Sequence, residues 1–149
     1  MNHTDYVDRD LVLSSLSSTS KSEVLRELIA PVAFKSPDFD QESAYKVLME
    51  RESLGTTGIG DGVAIPHGKL EGLPEIILVV GRSKDGVDFD SLDFKPCTIF
   101  FMVLAPENVA GMHLRILAHI SRLLKDEAFR DSFASAEDGD GLWDLLSKA

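Results

Sequence analysis

Only one cysteine, Cys97, occurs in the sequence, so no disulfide can form within it, which suits a reducing cytosol. Cys97 opens the apolar run Cys97 to Ala105 and reads as a small core residue, not a reactive thiol. Long apolar stretches are missing: none approaches the roughly 20 residues that cross a bilayer. The first ten residues carry Asp5, Asp8 and Asp10 where a secretory signal would be apolar. A free cytoplasmic domain without membrane insertion is therefore expected. Basic residues are outnumbered, 15 Lys and Arg against 25 Asp and Glu, giving a net charge of −10. An average surface of that sign repels phosphate backbones and anionic headgroups, which argues against nucleic acid as a partner. Zinc patterns are absent, with neither C-x-x-C nor H-E-x-x-H, and so is the G-x-S-x-G of a nucleophile elbow.

What is present describes a globular chain. Its 149 residues, 44% hydrophobic and 27% charged, predict one domain able to bury about two thirds of its unfolded surface. Leu11 to Leu16 suits a first strand or the edge of a turn. Ser20 and Glu23 have capping-box spacing ahead of Val24, Leu25, Leu28 and Ile29, predicting a helix from Lys21 to Val32. Asp40 caps a second helix from Gln41 to Ser53, with Tyr45, Leu48 and Met49 as its apolar stripe, and Gly55 closes it. Ile76 to Val80 and Thr98 to Leu104 read as central strands covered on both faces. Between them, Ser83 to Pro96 is polar, with Val87 and Phe89 alternating as a short strand would. A third helix, Ala110 to Lys125, places Leu114, Leu117, Ile120, Ser121 and Leu124 along one side. Short helices over Asp126 to Ala134 and Leu142 to Ser147 complete the chain. This order predicts a single α/β domain with helices on both faces of a small sheet.

The most informative segment is Gly58-Ile59-Gly60-Asp61-Gly62-Val63-Ala64-Ile65-Pro66-His67-Gly68. Four glycines and a proline surround one imidazole, which suggests a side chain that must be presented and not merely packed. Nucleotide motifs fail on spacing. After Gly58 and Gly60 a Rossmann fingerprint needs glycine where Val63 stands, and a Walker loop needs four residues, not five, between Gly62 and Gly68. A mobile glycine loop with an incidental histidine remains the alternative.

Among the other histidines, His3 sits near the terminus, where no role is expected. His113 and His119 lie about 120° apart around their helix and cannot easily share a metal ion. His119 is expected to be structural or solvent-facing. His113 falls near its helix start, where unpaired N–H groups and the dipole favour anions. A second imidazole there suits a phosphoryl oxygen; a plain packed or exposed histidine is the competing reading.

The glycine run resembles the phosphorylation-site motif of the type-2 enzyme IIA domains of the phosphotransferase system (PTS). Arg51-Glu52-Ser53-Leu54-Gly55-Thr56-Thr57, Gly81 to Asp90, Leu104-Ala105-Pro106-Glu107-Asn108 and His113-Leu114 resemble further family segments in the expected order. The likeness is strongest over residues 24–129. It implies a three-layer fold with a mixed sheet, and a phosphoryl group accepted on His67 from an HPr-like phosphocarrier protein. By the same resemblance His113 orients the phosphoryl group and Arg51 supplies positive charge. Thr57, Gly58, Gly60, Asp61, Gly62 and Gly68 would position the loop or the phosphate, with the Asp61 carboxylate holding Arg51 or the loop. No cofactor or metal is implied. Ala64-Ile65-Pro66-His67-Gly68-Lys69-Leu70-Glu71-Gly72 is most similar to the nitrogen-regulatory branch, whose members act on protein targets according to phosphorylation state. A stand-alone fructose- or mannitol-type IIA handing phosphate to a IIB protein is the runner-up, and a binding module without the relay is a third reading.

Overall fold

The computed structural model describes residues 3–108 and 111–149. Among these, six strands make one mixed sheet: β1 (Val12–Leu13), β2 (Gly58–Gly60), β3 (Val63–Ala64), β4 (His67–Leu70), β5 (Ile77–Val87) and β6 (Cys97–Pro106). Five helices accompany them: α1 (Lys21–Lys35), α2 (Gln41–Ser53), α3 (Met112–Lys125), α4 (Glu127–Ser135) and α5 (Gly139–Lys148). Central β6 pairs antiparallel with β5 on one side. On the other side it is paired in parallel first by β3 and then by β4. Those two strands follow one interrupted line along β6, broken at Ile65-Pro66 because proline offers no N–H to a ladder. Strand β1 extends the sheet beyond β5, and β2 closes the other end against β3.

Adjacent residues of β5 point to opposite faces and show where the layers lie. A Cβ at Gly81 would lie 2.8 Å from Leu16 and 2.9 Å from Leu28, so α1 packs against that face. Arg82 points the other way, and its guanidinium donates to the carbonyls of Phe133 and Ala136 at the end of α4. The sheet is thus sandwiched, and Leu78, Val79, Val80 and Phe100 to Ala105 are fully buried within it. Cys97 is buried with them, and burial pushes its thiol up to about 11, which leaves it inert at neutral pH.

Helix boundaries follow their caps. Ser20 accepts from the Glu23 amide, as the capping box predicts, and its hydroxyl also donates to the Glu23 carboxylate. Asp40 accepts from the Ser43 amide, Asp126 caps α4, and Asp138 caps α5, which starts at Gly139, three residues before the expected Leu142. Helix α1 runs three residues past the expected Val32, since Pro31 removes only one backbone bond and keeps helical φ. The expected start of the third helix at Ala110 lies outside the described residues.

Other expectations change more. Leu11 to Leu16 holds a short 3-10 turn ending at Leu11 and then the two-residue β1. Strand β5 does not stop at Val80 but continues through the polar stretch to Val87. It can do so because buried Arg82 finds acceptors in Ser14, Phe133 and Ala136. The inner stripe of α3 consists of His113, Ile116, Ile120 and Leu124, leaving Leu114 68% exposed instead of on the apolar side. His3, expected to do nothing, is fully buried: its Nε2–H donates to the Leu146 carbonyl at 2.8 Å. Its Nδ1 meets His119 Nε2 at 2.8 Å, so both histidines are structural.

Candidate functional site

Residues 58–68 hold strand structure and not only loop. Gly58–Gly60 and Val63–Ala64 pair as a short antiparallel ribbon, turned by Gly60, Asp61 and Gly62 at φ 103°, 58° and 76°. Three successive left-handed residues need glycine or a small polar side chain, which accounts for the G-D-G sequence. The Gly62 carbonyl then accepts from Thr98 and Ile99 at 2.8 and 2.9 Å, anchoring the turn to β6. Asp61 contributes through its backbone, whose amide donates to Asp93 at 3.3 Å. The expected carboxylate contact with Arg51 is not the one formed: the Arg51 guanidinium donates to the Gly55 carbonyl at 3.0 Å, folding over the end of its own helix.

After the Pro66 break, β4 begins with His67. Gly68 faces α2 so closely that a Cβ would lie 2.4 Å from Val47 Cγ1. By strand alternation His67 faces the opposite side, where α3 begins. There His113 meets it, with ring centroids 5.6 Å apart and planes tilted by 51°. His67 Nδ1 lies 2.8 Å from the Ile65 carbonyl. A carbonyl only accepts, so Nδ1 carries the proton and Nε2 keeps its lone pair in the neutral ring. Half-buried, His67 titrates below the ordinary histidine range, chiefly because burial disfavours the cation; Arg51 adds to that, while the Ile65 bond and Glu52 oppose it. His113, 8% exposed, also titrates low, through burial first and then the nearby His67 and Lys69. Its Nδ1 is buried and finds no hydrogen-bond partner among the described residues, a polar group left for something else to satisfy. Helix α3 has Gly111 as its N-cap, which offers no side-chain cap, and carries no acid in its first turn. Its positive dipole end therefore stands next to the two imidazoles.

Two depressions flank His67. One, about 600 Å³, is bounded by Arg51, Leu54, Lys69 and His113; the other, about 240 Å³, by Arg51, Thr57, Ile59 and Leu117. Both include Arg51 and His67, so the imidazole is reachable from two sides. Among the described residues no three His, Cys, Asp or Glu side chains are grouped to hold a metal ion. A neutral, pre-oriented nucleophile beside a second imidazole and an arginine is suited to taking up an anionic group.

Glu52, assigned no role in the sequence beyond its place in the Arg51 to Thr57 segment, carries the approach to this site. It is 7% exposed; one carboxylate oxygen accepts from the Thr57 amide at 3.1 Å and from Lys21 Nζ at 2.9 Å, and the other from the Thr57 hydroxyl. Thr57 in turn accepts from the Ile65 amide at 3.1 Å, so the carboxylate fixes the backbone whose Ile65 carbonyl holds His67. An acid directly after a helix-end arginine was the available signal, but its partner Lys21 lies one helix earlier.

The family model described as phosphoenolpyruvate-dependent sugar phosphotransferase system, EIIA 2, matches residues 5–149. The chain belongs to this family. It is 38% identical over 144 residues to a nitrogen regulatory protein of Bradyrhizobium diazoefficiens, covering 97% of this chain and 94% of that one. It is 35% identical over 149 residues to the fructose-specific EIIABC component of Bacillus subtilis, covering 99% of this chain but 23% of that longer protein. In three dimensions it is similar to the nitrogen regulatory protein IIA-Ntr of Neisseria meningitidis, with a TM-score of 0.88, 27% identity, and 95% and 97% of the two chains covered. A type-2 IIA is a phosphotransferase component, and the mixed sheet between helices is the family's architecture.

Proposed function

We propose that this protein carries a phosphoryl group on His67 Nε2, accepted from the phosphohistidine of an HPr-like carrier, and acts as a phosphorylation-dependent regulator in the cytoplasm. The observation that carries this reading is the bond from His67 Nδ1–H to the Ile65 carbonyl, which leaves Nε2 unprotonated beside His113. In the transfer, the Nε2 lone pair attacks phosphorus, the carrier's P–N bond breaks, and that electron pair returns to the carrier's imidazole. The proton stays on Nδ1, where the Ile65 carbonyl dipole stabilises the charge developing on the ring. His113 donates to a phosphoryl oxygen, and Arg51 together with the α3 N-terminus offsets the group's negative charge. Positioning and electrostatics supply the catalysis, since phosphoryl transfer asks little covalent work of the protein.

Regulation is favoured over sugar transport by the match to nitrogen regulatory proteins across nearly the whole of both chains. The fructose-specific relative supports the second reading, in which the group passes on to a IIB protein. Intact mass after incubation with phosphoenolpyruvate, enzyme I and carrier tests the relay. One acid-labile phosphoryl group, absent from His67→Ala, is expected. No uptake from cognate partners would leave a binding module, and onward transfer to IIB would assign the transporter role.

A further inference from the structure

Phe94 is 96% exposed and has φ 60°, a left-handed conformation that a bulky aromatic residue seldom adopts. Exposure and backbone strain together are unfavourable, and such strain persists where surrounding structure enforces it. Here it does. Phe94 donates to the Ser91 carbonyl at 2.9 Å, Leu92 to the Gly58 carbonyl at 3.0 Å, and Lys95 to the Asp93 carboxylate at 3.1 Å. The same carboxylate takes the Asp61 amide. A Cβ at Gly58 would lie 3.0 Å from Ser91, so this loop packs directly on β2. Leu92 is 67% exposed. Ile59 of β2, 51% exposed, stands between the glycines that hold the loop and also lines the depression beside His67. Exposed carboxylates Asp61, Asp88, Asp90 and Asp93 accompany these side chains, against exposed Lys95 and half-buried Lys21, whose Nζ is 3.8 Å from Asp90.

We propose that Leu92 and Phe94 form a docking element, joined to the His67 site through Ile59, for a protein partner offering an apolar pocket rimmed by lysine or arginine. Fixed aromatic anchors lose little entropy on binding, which suits a hot spot. The acidic surround selects the partner's charge: a second copy, itself at −10, would set carboxylates against carboxylates, and nucleic acid would be repelled. That the partner is a regulated protein rests on the reading of His67 above; the contact itself does not.

A photo-crosslinking benzoylphenylalanine at position 94 in the full chain, in its native cell, provides the test. The protein it joins is identified, purified, and titrated against wild type, Leu92→Ser/Phe94→Ser and the control Phe34→Ser, which alters another fully exposed phenylalanine. The expected result is binding weakened about tenfold or more in the double variant alone, wild-type binding that falls with added salt, and phosphoryl uptake unchanged. No crosslink, a crosslink only to another copy, or equal affinity for the double variant would overturn the proposal. Phosphoryl uptake measured on the same samples separates this outcome from failure of the relay.

Discussion

His67 and His113, one on a strand and one at a helix start, hold their rings 5.6 Å apart with planes tilted by 51°. Both titrate below the ordinary range near 6.5, so both are neutral at pH 7. A phosphoryl group on His67 would bring negative charge against His113 and favour its cation. The His113 pKa should therefore rise on phosphorylation. NMR titration of its ring protons, with and without the phosphoryl group, measures this, and an unchanged midpoint would separate His113 from the phosphoryl group. His113→Ala should slow uptake by roughly 10²-fold, the usual cost of one lost stabilising donor.

The tautomer of His67 gives a second prediction. Nucleophilic Nε2 must be unprotonated, and the depressed pKa keeps it so to below pH 6.5. Uptake by the protein should be level across neutral pH and decline only on its acid side, once the carrier's own titration is subtracted. Nitrogen-15 NMR should find the proton on Nδ1; a proton on Nε2 in the free protein would contradict the mechanism.

Much of this was readable in advance because the signals are local. The Ser20 and Asp40 caps, the apolar run of β6 and the glycine segment each declare themselves within a few residues. The missed features are pairings across the fold. Arg82 reads as a polar break in a strand until the carbonyls ending α4 are known to receive it. His3 reads as a loose end until His119 and Leu146 close around it. Leu114 follows helical periodicity within one residue of the true stripe, and only the position of β6 decides which side is buried. Glu52 belongs with these, since its partners come from two other segments.

Glu52 supplies a third prediction. Removing a buried carboxylate that pairs with Lys21 and holds the Thr57 amide leaves that amide unmatched and Lys21 with only the exposed, more distant Asp90. Glu52→Ala should destabilise the protein by about 3 kcal/mol in urea unfolding. Glu52→Gln, which keeps the acceptor but not the charge, should cost about 1 kcal/mol. Because Thr57 positions Ile65, both variants should also slow phosphoryl uptake. A Glu52→Gln protein with wild-type uptake would restrict the carboxylate to folding.

Gly68 supplies a fourth, separable by a double-mutant cycle. Gly68→Ala forces a methyl into Val47, where the available separation is 2.4 Å, and should cost about 1–3 kcal/mol. Val47→Ala should recover part of that loss when combined with it. Additive costs would show that β4 moves away from α2 instead of clashing, and His67 would move with it.

The last prediction concerns acid stability. His3 donates through Nε2 to Leu146, so in the neutral pair its Nδ1 accepts from His119 Nε2–H. Protonating both rings would set two N–H groups against each other across 2.8 Å. His119 titrates low, first through burial and then through His3 and Arg122. Its folded pKa thus lies below the unfolded value, and the folded state binds fewer protons in between. Stability is intact above about pH 6.5 and declines as pH falls through the folded pKa. His67 and His113 act in the same direction, so the decline should be steeper than one group would give. In His119→Gln, urea midpoints should be lower at pH 7 but fall less between pH 7 and 5. An unaltered slope would assign the acid sensitivity to His67 and His113 alone, and His67→Gln would then flatten it.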